Sequence, residues 1–166
     1  MELQPLSREH IDGIMEIEND SFSIPWSRGS MEKELENKLA IYIVAMEDDK
    51  VIGYAGMWHV VTEGHITNIA VHKDYRGKGV GQALVKGLID IAKEKEMIGV
   101  TLEVRPSNET ALHIYKKYGF KLSGVRKEYY DDNKEDAYIM WCYLVPPEEI
   151  EDGSKGCNRC SMWNEL

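Results

Sequence analysis

No apolar run in this chain is long enough to span a bilayer, and Met1-Glu2-Leu3-Gln4 is not a cationic signal start. Neither a membrane helix nor a secretory leader is therefore expected. Cysteine is scarce, with three residues and no framework of spacings, which fits a reducing cytoplasm better than a disulfide-stapled domain. An excess of positive charge is missing too. Twenty Lys and Arg against 29 Asp and Glu leave -9, which argues against a nucleic-acid-binding surface. Such a charge would suit a cationic substrate, although solubility alone explains it. Repeats and low-complexity stretches are also lacking. The remainder is ordinary: 166 residues, 43% hydrophobic and 30% charged, enough for one domain with a sizeable core.

Periodicity gives a coarse plan. Residues 1–6 are a short strand, and Ser7 starts a helix with Ile11, Ile14, Met15 and Ile17 on one face, ending near Phe22. Ser27 or Ser30 caps a second, charged helix. Residues 40–46 and 51–61 are strands joined by a turn at Asp48-Asp49-Lys50. A strand ending at Val71, a helix, a strand over 100–105 and a helix over 108–118 follow. Two last strands, 120–130 and 136–144, are joined by 131–134. Strands before, between and after helices predict an α/β fold with a mixed (α+β) sheet. Parallel pairing is expected only across the two crossovers flanking the 100–105 strand.

Residues 66–92 carry the strongest local signal. Ile66, Ile69 and Val71 make a strand, Arg76-Gly77-Lys78-Gly79-Val80-Gly81 a glycine-rich turn, and Val80, Leu84, Leu88 and Ile91 an amphipathic helix. Glycines let the backbone approach closely, and free amides at a helix start favour a phosphate. Arg76 and Lys78 add cations. A P-loop would need Lys-Ser or Lys-Thr after the glycines, and a dinucleotide turn would need G-x-G-x-x-G; neither spacing is present. Arg76-x-x-Gly79-x-Gly81 instead resembles the pyrophosphate loop of the GCN5-related N-acetyltransferases (GNAT), which hold acetyl-coenzyme A there. The plainer reading is a tight turn with solvated cations.

Two further positions have chemical potential. Alternation over residues 100–105 puts Val100, Leu102 and Val104 on one face and Thr101, Glu103 and Arg105 on the other. A charged face is costly on a central strand unless it opens on a cleft. Glu103 is either half of a salt bridge, to Arg105 or to the tail, or a base beside a reacting group. Tyr115 lies on the inward face of its helix with Ala111, Ile114 and Tyr118. It is either a core tyrosine or a phenol at a cleft.

Phe22-Ser23-Ile24-Pro25-Trp26, Asn68 to Val71, Arg76 to Gly81, Leu102 to Asn108, Tyr115-x-x-Tyr118-Gly119-Phe120 and Tyr129-Tyr130 stand in one order. Together they resemble the RimI family, the N-terminal-alanine acetyltransferases of a small-subunit ribosomal protein. The resemblance covers about residues 3–145. It implies the GNAT acyltransferase fold, acetyl-CoA as co-substrate with no metal, Glu103 as general base and Tyr115 as general acid. It also implies that Ile69, Ala70 and Val71 meet the acetyl-pantetheine arm. Arg76, Gly77, Lys78, Gly79, Val80, Gly81 and Gln82 would hold the pyrophosphate, and Asn108 would contact the cofactor. Pro25, Trp26, Tyr129 and Tyr130 would flank a ribosomal-protein N-terminal peptide. Arg76-Gly77 stands where the family commonly has Gln-Arg, which moves a cation.

The expected assembly is a cytoplasmic monomer or weak oligomer that touches neither nucleic acid nor membrane. Cys142, inside an apolar run, reads as an inert thiol, so direct transfer in a ternary complex is expected rather than a covalent intermediate. Residues 1–145 are expected to form the acetyltransferase domain. Residues 146–166 hold five acidic and two basic residues, a -3 tail expected to be disordered. Its Cys157-x-x-Cys160 pair has no second pair or nearby histidine to complete a zinc site. Other readings are a small-molecule amine acetyltransferase and a non-catalytic acyl-CoA-binding protein.

Overall fold

The computed structural model describes residues 1–146; the expected tail from 147 on, with Cys157 and Cys160, lies outside the described residues. Seven strands form one sheet: β1 (Glu2–Pro5), β2 (Ala40–Glu47), β3 (Lys50–Val60), β4 (Glu63–Val71), β5 (Gly99–Val104), β6 (Lys121–Arg126) and β7 (Ala137–Tyr143). Their spatial order is β1-β2-β3-β4-β5-β7-β6. Four α-helices connect them: α1 (Ile11–Ser21), α2 (Arg28–Glu36), α3 (Val80–Glu94) and α4 (Glu109–Lys117). None of the described helices is long and apolar enough to cross a membrane.

Both faces of β2 are covered, which is why it reads as a nearly continuous apolar run. Ile43 and Ala45 point to the layer of α3 and α4, where Leu84, Leu88 and Phe120 are buried. Tyr42 and Val44 point the other way, onto Ile11, Ile14, Ile17 and Met31 of α1 and α2. Truncating a fully buried leucine such as Leu84 or Leu88 would cost about 2–5 kcal/mol. Asp48 and Asp49 both take positive φ, as the two central residues of a tight hairpin turn must. Ser27 caps α2 by accepting from the Ser30 amide at 3.1 Å. Ser7 is followed first by a 3-10 turn, Arg8–His10, and only then by α1.

The parallel expectation holds once and fails once. β4 and β5 are parallel, but β5 and β6 are not neighbours, because β7 lies between them antiparallel to both. A β6–β7 hairpin, its strands joined through residues 127–136, inserts its second strand, and no periodicity in β6 announces that. The β4–β5 ladder is also short. It covers Glu63 to His65 against Gly99 to Thr101, although β4 runs on to Val71 and β5 to Val104. Just beyond it the β3–β4 register steps from Met57↔Ile66 to Gly56↔Asn68. Thr67 is the extra residue, and such a bulge bends the strand. β4 and β5 therefore diverge into a wedge.

Candidate active site

Two clefts meet at this wedge. The first, of about 910 Å³, is bounded by Ile69, Ala70 and Val71 of β4, the loop from Arg76 to Gln82, and the start of α4 from Asn108 to Tyr115. Gly77 and Gly79 hold positive φ of 75° and 82°, a region side-chain-bearing residues avoid. A Cβ built on either would meet nothing within 4 Å, so the glycines are required for backbone shape. That shape aims the first amides of α3 into the cleft, and no acidic residue stands in the helix's first turn. The site thus favours an anion.

The cations sit less simply than their spacing suggests. Arg76 folds back, its Nε donating to the Val71 carbonyl at 3.1 Å and its Nη2 to Ser21 Oγ at 3.1 Å. It still lines the cleft. Lys78 does not, and its Nζ stands 5.1 Å from the centre of the Tyr75 ring. Gln82 lines the cleft while accepting from Lys117 Nζ at 2.7 Å. Asn108 also lines it, with Oδ1 capping α4 through the Ala111 amide at 3.1 Å.

The second cleft, of about 940 Å³, is walled by the segment after α1, by β5 and the loop that follows it, and by the connection between β6 and β7. Trp26, Tyr129 and Tyr130 line it, and Pro25 does not. Glu103 opens onto it with its side chain 32% exposed and Oε1 3.4 Å from Arg126 Nε. The ion pairs recorded for Arg105 are with Asp132 and Glu135. The Glu103–Arg105 bridge is thereby replaced by two separate pairings. Thr101 shares the face with Glu103 but is buried, and its hydroxyl donates to the Met140 carbonyl at 2.9 Å.

Tyr115 lines both clefts. Only 9% exposed, it packs against Phe120 with ring centres 5.6 Å apart. Burial pushes its phenol above the ordinary tyrosine value, with a small further push from Tyr130. The side chain therefore stays protonated through the physiological range.

One part of the second cleft was not foreseen. Glu18, 1% exposed, accepts from the Trp26 amide at 2.9 Å and from the Tyr54 hydroxyl. Nearby, the Tyr42 hydroxyl reaches Asn68 Oδ1 at 3.2 Å and Glu34 Oε2 at 3.2 Å. Burial is the first cause raising both phenols. The available clue was a carboxylate at position 18, four residues beyond Ile14 on the apolar face of α1.

Residues 11–120 match the model of the acetyltransferase (GNAT) family. The chain is 46% identical over 134 residues to a Bacillus subtilis (strain 168) protein named as a candidate [ribosomal protein bS18]-alanine N-acetyltransferase, covering 80% of this chain and 89% of that protein. It is 36% identical to the [ribosomal protein bS18]-alanine N-acetyltransferase of Haemophilus influenzae, over 79% of this chain and 90% of the other. Among solved structures, the ribosomal-protein-S18-alanine N-acetyltransferase from Escherichia coli superposes with a TM-score of 0.80 at 28% identity, covering 95% and 97% of the two chains. A NatC complex bound to Gag peptide and CoA matches with a TM-score of 0.74 at 26% identity, over 87% of this chain and 100% of the other.

Proposed function

This chain belongs to the acetyltransferase (GNAT) family, and from that premise we propose that it acetylates the N-terminal alanine of a small-subunit ribosomal protein, with acetyl-CoA as donor. The observation that carries the proposal is Tyr115 at the junction of the two clefts. One cleft has the backbone for a pyrophosphate, the other has a carboxylate for an amine, and a single phenol borders both. The relatives named for the bS18 alanine supply the acceptor.

Arg76, Gly77 and the first amides of α3 hold the pyrophosphate, with Arg76 exchanging its Ser21 contact for a phosphate oxygen. Gly79, Val80, Gly81 and Gln82 shape the same cradle; Lys78 contributes only long-range charge. Ile69, Ala70 and Val71 meet the pantetheine arm, and Asn108 borders it. Trp26, Tyr129 and Tyr130 flank the peptide. Pro25 shapes the Trp26 loop from outside the cleft.

Chemically, the amine must lose a proton before it can attack a thioester carbonyl. An α-amine of pKa about 8 is roughly 10% neutral at pH 7, and lysine at about 10.4 roughly 0.04%, so choosing the α-amine spares about 3 kcal/mol. Glu103, accessible and oriented by Arg126, receives that proton directly or through a water. A backbone amide near Val71 stabilises the oxyanion that forms. The Tyr115 hydroxyl donates to the departing sulfur. Since a tyrosine phenol already lies above a thiol's value of about 8.5 and burial raises this one further, this donation is a hydrogen bond that stabilises the developing thiolate. Cys142 is buried and its thiol is raised mainly by burial, so it is a poor nucleophile and the transfer is direct.

The test is to incubate the full chain with acetyl-CoA and an alanine-starting ribosomal peptide, a lysine-only peptide and small amines in parallel. Acetylation confined to the alanine α-amine is the expected result. Label on lysine or on small amines instead would overturn the acceptor assignment.

A further inference from the structure

Among the stretches of chain that wall the acceptor cleft are the segment after α1, the loop after β5, and the β6–β7 connection. One guanidinium ties these three together. Arg105, directly after β5 and two residues from Glu103, forks onto Asp132 with Nη2 2.9 and 3.0 Å from the two carboxylate oxygens. Its Nη1 reaches Asn133 Oδ1 at 3.0 Å and Glu135 Oε1 at 3.3 Å. Its guanidinium carbon stands 3.8 Å from the centre of the Tyr130 ring. Glu135 in turn accepts from the Ser107 amide and hydroxyl at 3.0 and 2.9 Å. Asp132 also accepts from Ser23 Oγ at 3.0 Å, across 109 residues of chain.

We propose that Arg105 is the positioning residue of the acceptor cleft, a clasp that holds Tyr130 through its ring and the Ser23–Trp26 segment through Asp132, and so sets the opening to admit an extended peptide terminus. The proposal rests on the peptide-acetyltransferase reading above. A planar fork suits the role, because one side chain engages two carboxylates in its plane and an aromatic ring on its face; lysine, a point charge, can do only part of this. The clasp leaves the donor cleft alone, since Arg105, Asp132 and Tyr130 do not line it. It also leaves Glu103 to Arg126. Asp132 is held below the usual carboxylate range chiefly by its hydrogen bond to Arg105, so the clasp stays charged at neutral pH.

Full-length Arg105→Lys and Ser23→Ala proteins test this in two ways. In steady-state kinetics, Arg105→Lys should raise KM for an alanine-starting peptide by about tenfold and Ser23→Ala by about threefold, as expected for lost charge-assisted and single hydrogen bonds. Acetyl-CoA affinity and kcat at saturating peptide should stay within about twofold of wild type. Ser23→Thr, which keeps the hydroxyl, should restore KM. Independently of activity, hydrogen exchange at the amides of Trp26, Tyr130 and Lys134 should accelerate in both variants, the first two lying on opposite walls. Unchanged peptide KM with unchanged exchange overturns the clasp, and so does a parallel fall in acetyl-CoA affinity. Ser23→Ala alters an exposed hydroxyl, so it decides the matter even if Arg105→Lys folds poorly. Should wild type leave the peptide unacetylated, the functional reading fails, and the exchange measurement alone decides the clasp.

Discussion

Oε1 of Glu103 lies 3.4 Å from Nε of Arg126, a contact between strands that are not neighbours in the sheet. The carboxylate reaches over β7 to its cation and faces the acceptor cleft as it does so. Glu103→Gln preserves the shape and removes the proposed proton acceptor. We expect kcat to fall by about 10²-fold, within the span of general-base contributions, while acetyl-CoA affinity measured by calorimetry stays put. Wild-type turnover across the pH range would remove Glu103 from the mechanism.

Tyr115→Phe isolates the hydroxyl from the ring. With its packing against Phe120 kept, the fold should persist, and kcat should drop by about 10- to 100-fold as the departing sulfur loses its proposed donor. Peptide KM should change little. Because burial raises the phenol, the wild-type pH–rate profile should show no loss attributable to this group up to about pH 10. A folded variant with wild-type rate would return Tyr115 to the core.

Alkaline stability follows from the same physics. Tyr42, Tyr54 and Tyr115 all have phenols raised mainly by burial above their usual value of 10.0. Below pH 10 the folded and unfolded chains both hold these protons. Above it the unfolded chain releases them and the folded chain does not, so stability is lost as pH rises. Each phenol contributes a slope of up to about 1.4 kcal/mol per pH unit. Urea midpoints measured from pH 8 to 11 should be flat to near 10 and then fall; a flat line to pH 11 would contradict the burial.

Gly79→Ala and Gly56→Ala should fail for different reasons. At Gly79, with φ of 82° and open space around it, alanine adds backbone strain of about 1–2 kcal/mol and should weaken acetyl-CoA binding at least about tenfold as the loop relaxes out of shape. At Gly56 the backbone is unstrained, but a Cβ would run into the Tyr42 ring. The expected cost is about 1–3 kcal/mol of stability, with cofactor binding intact. Thermal unfolding with and without acetyl-CoA separates the two.

The anion loop was legible because its signal is local: strand, positive-φ glycines and helix start fall within about thirty residues, and each is set by its own neighbours. The inward face of Tyr115 was legible from helical spacing, but its place at a cleft was not. The partners of Glu103 and Arg105 were not, since they depend on β7 entering between β5 and β6, a choice made by tertiary packing. The Thr67 bulge was invisible for a similar reason, because inserting one residue leaves the hydrophobic count of the strand unchanged. Glu18 left a trace, a carboxylate on an apolar helix face, but its meaning required Tyr54 and the Trp26 amide to arrive from elsewhere.

On the proposed binding mode, the short β4–β5 ladder would make donor binding and sheet completion the same event. Past His65 and Thr101 the two strands present backbone edges that no strand of the sheet closes, and an extended pantetheine arm can serve there as a surrogate rung. Donor occupancy would then become a folding term. At a hundredfold excess over its dissociation constant the donor would add about 2.7 kcal/mol, and the edge it covers would be withdrawn from the strand-to-strand pairing by which exposed edges seed aggregation.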